Sequence, residues 1–348
     1  MSDVLGGIVD NVLEGADLQG VRLAGQSLAG LKLRKVSFRQ ADLSNCNFEG
    51  SELEDCDFSE ATLDQTNWRD THMQRLTFAR ARVERAQFIE IQARQVDFSG
   101  VAGSESDWHG STLDQCKFDA SVLKGSSLER TSAIGGSFQS TDFSNAVLTR
   151  STFQSCDLSS AIFKDTQMQQ CYLVDANLKN QTFPDCDLTL ALFEKANVSG
   201  ADFSGKQLSR ITFYQANLAK ANFSDSELFG VVLAMADLSG ANFARARVNH
   251  ADCSSASMRN IQAINSHWTH GVFKETQMTQ SIFSQSKFEY CDLSKAQLDG
   301  SDFRSTQFET CILFGISDLK TLWDSCKLRN STRTDELRER AENWVIPT

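Results

Sequence analysis

Large hydrophobic residues recur at every fifth position along most of the chain, from Leu13 to Leu313. This one phase holds 22 of the 24 phenylalanines. The residue two positions before each large residue is small, and the residue between them is polar. Alternation with a period of two is typical of a strand, and no α-helical face repeats every five residues. We therefore predict that each unit is a short strand followed by a corner, with its large and small positions pointing inward.

A longer period of 20 residues indicates how many strands complete one turn. Phenylalanines recur at this spacing, as Phe38 and Phe58 do, and so do opposite charges such as Asp55 and Arg75. Four strands per turn predict an all-β, parallel, four-sided solenoid. About 15 coils stacked ~4.8 Å apart would form one continuous rod of ~70 Å. Large inward residues would fill its interior, so we expect no pore.

The ends depart from the repeat, because a solenoid must cover its terminal apolar coils. Residues 1–12 are expected to form an N-terminal cap, with a short amphipathic helical turn between Val4 and Val12. Residues 13–317 form the repeat, and residues 318–348 an irregular last coil and a short C-terminal helix that begins near Thr334. That helix would cap the last coil, and homodimerisation through the same helix is the alternative.

Five of the inward large positions hold small residues, which predicts kinks or bulges there because the core is under-filled. They are Ala93, Gly103, Ala133, Cys253 and Ala263.

Several units closely follow one five-residue motif, Ala-(Asp/Asn)-(Leu/Phe) and two polar residues. Examples are Ala41-Asp42-Leu43, Ala176-Asn177-Leu178, Ala201-Asp202-Phe203 and Ala241-Asn242-Phe243. In this respect the chain resembles the pentapeptide-repeat proteins. The resemblance implies a right-handed quadrilateral β-helix and a protein without enzymatic activity. It also implies a choice of roles, since some members of the family mimic duplex DNA and protect DNA gyrase, and others serve bacterial secretion systems as effectors or accessories.

Composition excludes several other classes of protein. The chain has 45 acidic and 34 basic residues, a net charge of −11, which disfavours direct contact with nucleic acid. It has no apolar run of the ~20 residues that a membrane span needs, and no basic segment typical of a secretory signal. We expect a cytoplasmic protein.

Cysteine and histidine spacing gives no sign of a metal site or a cofactor. Nine of the ten cysteines fall in the small inward phase and Cys253 in the large one, so all are expected to be buried free thiols. His250 and His270 are 20 residues apart and should be neighbours, either as a weak two-histidine metal site or simply as solvated side chains. No catalytic residues are predicted.

One coil is rich in acidic residues, and two interpretations of it remain open. As a functional surface it would attract a basic partner, and as a structural feature it would be neutralised by the basic coils on both sides. The residues concerned are Glu52, Glu54, Asp55, Asp57, Glu60 and Asp64.

A second candidate surface consists of large apolar residues at outward positions of one region. A contiguous apolar patch would indicate a protein-binding site. Its residues are Tyr172, Leu190, Leu192, Tyr214, Phe229, Val232 and Met235.

The sequence therefore favours a non-catalytic, protein-binding scaffold. One form is a protein that inhibits or protects a basic nucleic-acid-acting protein, as in toxin immunity or topoisomerase modulation. A bacterial secretion-system effector or accessory protein is the alternative. An enzyme that uses carboxylates on a β-helix is a third hypothesis, and it would require an exposed cleft with two unpaired carboxylates of shifted pKa.

Overall fold

Each five-residue unit forms a short strand segment and a corner, as the pattern predicts. The computed structural model describes residues 9–334 of the chain. The chain divides into two units, Met1–Leu192 and Phe193–Thr348. Both are parallel β-solenoids, and residues 9–334 make about 16 turns in all.

In the described part of the first unit, residues 9–192, eight strands of three residues form one parallel sheet in chain order. Neighbouring strands pair at an offset of 20 residues, as Leu33 does with Leu53. Isolated parallel bridges with the same offset form the other three faces, for example between Asp17 and Ser37. The strands are β1 Val12–Glu14, β2 Lys32–Arg34, β3 Glu52–Glu54, β4 His72–Gln74, β5 Gln92–Arg94, β6 Thr112–Asp114, β7 Ser132–Ile134 and β8 Thr152–Gln154.

The second unit repeats this architecture, with a sheet of seven strands between residues 193 and 334, where its structure is described. Its three-residue strands occur five residues earlier in the 20-residue repeat than those of the first unit. They are β9 Gln207–Ser209, β10 Glu227–Phe229, β11 Arg247–Asn249, β12 His267–Thr269, β13 Lys287–Glu289, β14 Gln307–Glu309 and β15 Lys327–Arg329.

The large inward residues stack in columns that fill each solenoid. Phe58 is fully buried, and its ring centroid lies 5.0 Å from that of Phe38 and 4.9 Å from that of Phe78. In the second unit the rings of Phe223 and Phe243 stack at 4.8 Å. These columns confirm the predicted four-sided coil of 20 residues.

The small inward positions also accept polar side chains, because the backbone satisfies them. The Ser51 hydroxyl, for example, donates a hydrogen bond to the Leu28 carbonyl at 3.0 Å. A buried hydroxyl or thiol therefore carries no unpaired donor into the core.

At most corners the chain makes a four-residue turn with one left-handed residue. After Phe38, for instance, the Ala41 N–H donates to the Phe38 carbonyl at 3.0 Å, and Gln40 has a φ of 55°. A type II turn requires a positive φ at this position. The period of five is therefore the length of one strand segment plus one such turn.

The predicted bulges at the five under-filled positions are wrong. Strand pairing stays one-to-one through all of them, as between Met73 and Ala93. Neighbouring coils fill the space instead: a Cβ at Gly103 would lie 3.0 Å from Val83 Cγ2 and 3.2 Å from Leu123 Cδ2.

The predicted helical turn at the N-terminus is also wrong where the structure describes it. Val9 and Val12 exchange two backbone hydrogen bonds across Asp10 and Asn11, whose φ values are 52° and 64°. This is a tight hairpin turn. The rest of the predicted N-terminal cap and the C-terminal helix lie outside residues 9–334.

Asp318 occupies the large position of the last coil, as the sequence indicates, and it is half-buried there. Its carboxylate accepts hydrogen bonds from Trp323 Nε1 and Arg333 Nη1, both at 3.2 Å. Strand pairing nevertheless continues to Thr332. Within residues 9–334 there is no apolar helix with the length that a bilayer crossing requires.

Candidate protein-binding surfaces

Each of the six acidic residues predicted as a surface has a Lys or Arg partner in a neighbouring coil. The ion pairs are Lys32–Glu52 at 3.1 Å, Arg75–Glu54 at 2.5 Å, Arg75–Asp55 at 2.7 Å, Arg39–Asp57 at 3.2 Å, Arg80–Glu60 at 2.6 Å and Arg82–Asp64 at 2.5 Å. The geometry therefore supports the structural interpretation, in which basic residues of the neighbouring coils neutralise the acidic coil.

Hydrogen bonds keep two of these carboxylates ionised. The Arg75 side chain holds the pKa of Asp55 below its usual value of 3.8. Hydrogen bonds from Gln40 and Arg80 lower the pKa of Glu60 in the same way. Both groups are solvent-exposed, so the pairs set the register between coils more than they add stability.

The net negative charge of the first unit lies farther along the chain. Residues 31–96 carry 11 acidic and 10 basic residues, whereas residues 97–192 carry 12 acidic and only 6 basic ones. Residues 1–192 account for a net charge of −10 out of −11. Exposed carboxylates here include Asp165, Asp175 and Asp185.

Many aspartates immediately before a large residue have a structural role in the corner that follows. Asp42 Oδ1 accepts hydrogen bonds from the Ser44 N–H at 3.2 Å and the Ser44 hydroxyl at 2.7 Å. These bonds lower the pKa of Asp42. They also explain why Asp and Asn are abundant at this position of the repeat.

A groove of ≈ 490 Å³ runs between two rows of outward side chains on the β2–β6 face of the first unit. Its carboxylates are Glu52, Glu54 and Asp114, and Asp114 is 3.3 Å from Arg94. All three therefore have cationic partners, and the groove lacks the unpaired carboxylates that the enzyme hypothesis requires.

The apolar residues predicted in the first unit are at the surface. Tyr172 is 43% exposed and Leu190 is 37% exposed, while Leu192 is half-buried. Tyr172 and Leu192 pair in register on one face. Leu190 lies at the corner that leads into that face. The structure thus groups the three residues on two adjacent coils.

The second unit presents a corresponding set of four residues. Phe229 is 46% exposed and Met235 is 52% exposed, while Tyr214 and Val232 are half-buried. The Tyr214 hydroxyl donates to Met235 Sδ at 3.3 Å. Phe229 and Val232 lie on either side of one corner.

Two of these residues occupy corner positions that rarely hold an apolar side chain. Leu190 and Met235 have φ values of 62° and 59°. Almost all the other left-handed corner residues are glycine or polar. The further exceptions are Ala120 and Tyr290. A side chain at such a corner projects into solvent, so Leu190, Met235 and Tyr290 add apolar surface that the fold does not require.

The prediction that all ten cysteine thiols are buried is confirmed for eight of them, and Cys186 and Cys326 are half-buried. Burial raises the pKa of Cys56 to about 11. No group of three or more His, Cys, Asp or Glu side chains within residues 9–334 is arranged to hold a metal ion.

His250 and His270 are neighbours, as predicted, with ring centroids 4.7 Å apart. The sequence interpretation missed that Tyr290, a further 20 residues along, stacks on His270 at 4.9 Å. The 20-residue register that relates the two histidines would have revealed it.

Profiles of repeat families match most of the chain. The profile described as "Pentapeptide repeat region" matches residues 31–108, 51–128 and 146–223, which together span just over half of the chain. The profile described as "Pentapeptide repeats (8 copies)" matches residues 126–165, 207–245, 236–260 and 276–313. No curated protein matches the chain.

Three solved structures are examples of proteins to which this chain is similar. A pentapeptide repeat protein, Rfr23 from the cyanobacterium Cyanothece 51142, is 18% identical with a TM-score of 0.26, over 27% of this chain and 64% of that one. QnrB1, a plasmid-mediated fluoroquinolone resistance protein, is 14% identical with a TM-score of 0.34, over 51% and 90%. HetL of Nostoc sp. strain PCC 7120, involved in heterocyst differentiation regulation, is 16% identical with a TM-score of 0.18, over 92% and 91%.

Proposed function

The chain belongs to the pentapeptide-repeat family, and we propose that it is a non-catalytic scaffold that binds another protein. The observation that carries this proposal is the set of exposed and half-buried apolar side chains at corners and outward strand positions. In the first unit these are Tyr172, Leu190 and Leu192, and in the second Tyr214, Phe229, Val232 and Met235.

Anchors of this kind suit a protein interface. Aromatic and methionine side chains are enriched in interfaces and often dominate their binding energy. Here they stand on closely packed coils whose backbone is hydrogen-bonded on both sides. A rigid surface loses little conformational freedom when it binds, which favours affinity.

The charge distribution supports a basic partner. Residues 97–192 carry twice as many acidic as basic residues, and a field of this sign attracts positive proteins and speeds their encounter. Proteins that act on nucleic acids are commonly basic because they contact phosphates. We propose that the partner belongs to this class, such as a nuclease toxin that the chain neutralises or a topoisomerase that it modulates, in the cytoplasm.

The carboxylates support a role without catalysis. A general acid needs a pKa raised toward neutrality. Hydrogen bonds from Arg75 and Ser44 instead lower the pKa values of Asp55 and Asp42. These carboxylates are arranged for ion pairing and for turn stabilisation.

The test is affinity capture from the native cell with the wild type and three sets of variants, followed by binding measurements on the purified partner. The first set is Tyr172→Asp with Leu192→Asp, and the second is Phe229→Asp with Met235→Asp. The third, Glu52→Lys with Glu54→Lys and Glu60→Lys, reverses charges that are already ion-paired. We expect at least one apolar set to abolish capture and the charge-reversal set to weaken it far less, because it alters the field around the partner but not the contact surface.

Two outcomes would contradict the proposal. Capture that withstands both apolar sets would show that these residues do not bind the partner. If only the charge-reversal variant binds the partner more weakly than the wild type, the acidic coil would be the binding site. Thermal unfolding of each variant provides the control for folding.

A further inference from the structure

Four aromatic side chains form a continuous ladder on one corner of the second unit. We call Phe229, His250, His270 and Tyr290 the corner ladder. Phe229 meets His250 edge-on at 5.7 Å, His250 stacks on His270 at 4.7 Å, and His270 stacks on Tyr290 at 4.9 Å. All four residues are exposed. Stacked rings cover one another's faces, so the ladder offers open faces chiefly at its ends.

The C-terminal end of the ladder combines an open ring face with a carboxylate. Tyr290 is 54% exposed, and the next coil brings only the small Thr310 to the same position of the repeat. Glu309 precedes Thr310. Its carboxylate lies 3.9 Å from Lys287 Nζ, which is much closer to Glu289, at 2.5 Å. Glu309 is therefore only loosely held by Lys287, and Arg329 of β15 is in register with it.

The N-terminal end also has an exposed ring, although the corner position of the preceding coil holds Arg210, which packs beside Gly230. Phe229 is 46% exposed, and the coil before it brings the small Ser209 into register with it. Glu227 lies exposed on the same strand, β10, and is in register with the cation of Arg247. Both ends of the ladder thus have an accessible aromatic ring and a glutamate on a strand that leads into the corner.

A ring face beside a carboxylate is the chemistry that recognises a guanidinium or ammonium group. The face attracts a cation through the quadrupole of the ring, and the carboxylate pairs with it. We propose that the corner ladder binds an extended segment of a partner protein through two arginine or lysine side chains, one at Tyr290 and Glu309 and the other at Phe229 and Glu227. This inference rests on the proposed protein-binding function and specifies the chemistry of the partner.

The ladder also sets the spacing between the two cationic side chains. Its ends are three coils apart, or about 14 Å at ~4.8 Å per coil. An extended chain advances ~3.4 Å per residue, so two side chains four residues apart span the same distance and point the same way. The expected motif is a basic residue, three intervening residues with high strand propensity, and a second basic residue.

The experiment uses fluorescently labelled peptides and the full chain, with binding followed by anisotropy at low salt. The probe is a Thr- and Val-rich peptide with two arginines four residues apart. One control peptide has glutamines in place of both arginines, and another has the arginines two residues apart. We expect the probe to bind at least fivefold more tightly than either control.

Matched variants assign the binding to the ladder. Tyr290→Ala should weaken the probe roughly fivefold, because it removes the ring face. Tyr290→Phe keeps the face and should bind within about twofold of the wild type. Glu309→Gln should weaken binding, whereas Glu194→Gln, the same change nearly six coils earlier in the unit, should not.

The results separate this inference from the proposed function. If the glutamine peptide binds as well as the probe, or if Tyr290→Ala and Glu309→Gln leave its affinity unchanged, the ladder does not recognise cations and the inference fails. Failure of the probe to bind at all would also overturn it. Capture of a partner that depends on the Tyr172 and Leu192 set would still support a protein-binding scaffold in every one of these cases.

Discussion

Arg75 follows Asp55 by 20 residues, and its Nε donates a hydrogen bond to Asp55 Oδ1 at 2.7 Å. One side chain thus links two successive coils of the first unit. Because Arg75 also bonds Glu54 at 2.5 Å, a single cation holds two carboxylates of the acidic coil.

This pairing predicts an acid-dependent loss of stability. The pKa of Asp55 is lowered in the folded state, mainly by the hydrogen bond from Arg75, so ionised Asp55 favours folding. Its contribution is present above the ordinary pKa of 3.8 and is lost as pH falls through the lower folded value. We expect Asp55→Asn to destabilise the protein at pH 7 and to have little effect near pH 2. Urea unfolding of both proteins at the two pH values measures this, and an equal effect at both would refute it.

The aromatic columns predict where a core substitution costs most. Phe58 is fully buried between Phe38 and Phe78, so Phe58→Ala should lower the free energy of unfolding by about 3–5 kcal/mol. Phe229→Ala is the matched control, because that ring is 46% exposed. It should cost less than about 1 kcal/mol. Chemical denaturation compares the two, and similar losses would show that the columns do not dominate stability.

The fold could be predicted from the sequence because both of its periods are directly visible in it. A period of five locates each corner, and a period of 20 pairs Asp55 with Arg75. The bulges were mispredicted because the inter-coil hydrogen bonds belong to the backbone and are kept when a side chain is small. At Gly103, Val83 and Leu123 occupy the vacant space.

The candidate surfaces could be predicted less fully. The sequence identifies outward positions, so Tyr172 and Met235 were found, but it does not give the direction in which a side chain leans. The contact between the Tyr214 hydroxyl and Met235 Sδ depends on such a direction. Tyr290 was overlooked because its significance depends on stacking against His270 rather than on its own hydrophobicity.

Burial predicts two classes of thiol. Reaction with a disulfide reagent requires the thiolate, and burial raises the pKa of Cys56 to about 11 and that of Cys116 to about 12. At pH 8 we expect the half-buried Cys186 and Cys326 to react first, and the eight buried thiols to react only after denaturation. Timed absorbance with an aromatic disulfide measures the two phases. Fast reaction of more than two thiols would contradict the predicted burial, and Cys186→Ser with Cys326→Ser should remove the fast phase.

The corner at Met235 allows stability and binding to be tested separately. Its φ of 59° is tolerated by unbranched side chains, and lysine occupies the equivalent corners at positions 195 and 295. A β-branched side chain is strained in this region, so Met235→Val should cost about 1–2 kcal/mol. Met235→Lys should leave the free energy of unfolding within about 0.5 kcal/mol, because it keeps an unbranched chain at an exposed position.

The order of the two substitutions should be reversed for partner binding: the one that costs more stability should cost less affinity. Met235→Val retains an apolar surface and should preserve much of the affinity, whereas Met235→Lys places a charge where an apolar contact is expected and should weaken binding more than tenfold. Thermal unfolding and titration with the captured partner give the two rankings. If lysine were as destabilising as valine, the corner would be constrained by packing, and if lysine bound the partner normally, Met235 would lie outside the interface. An apolar side chain that is dispensable for folding but required for binding is what a surface selected for recognition should contain.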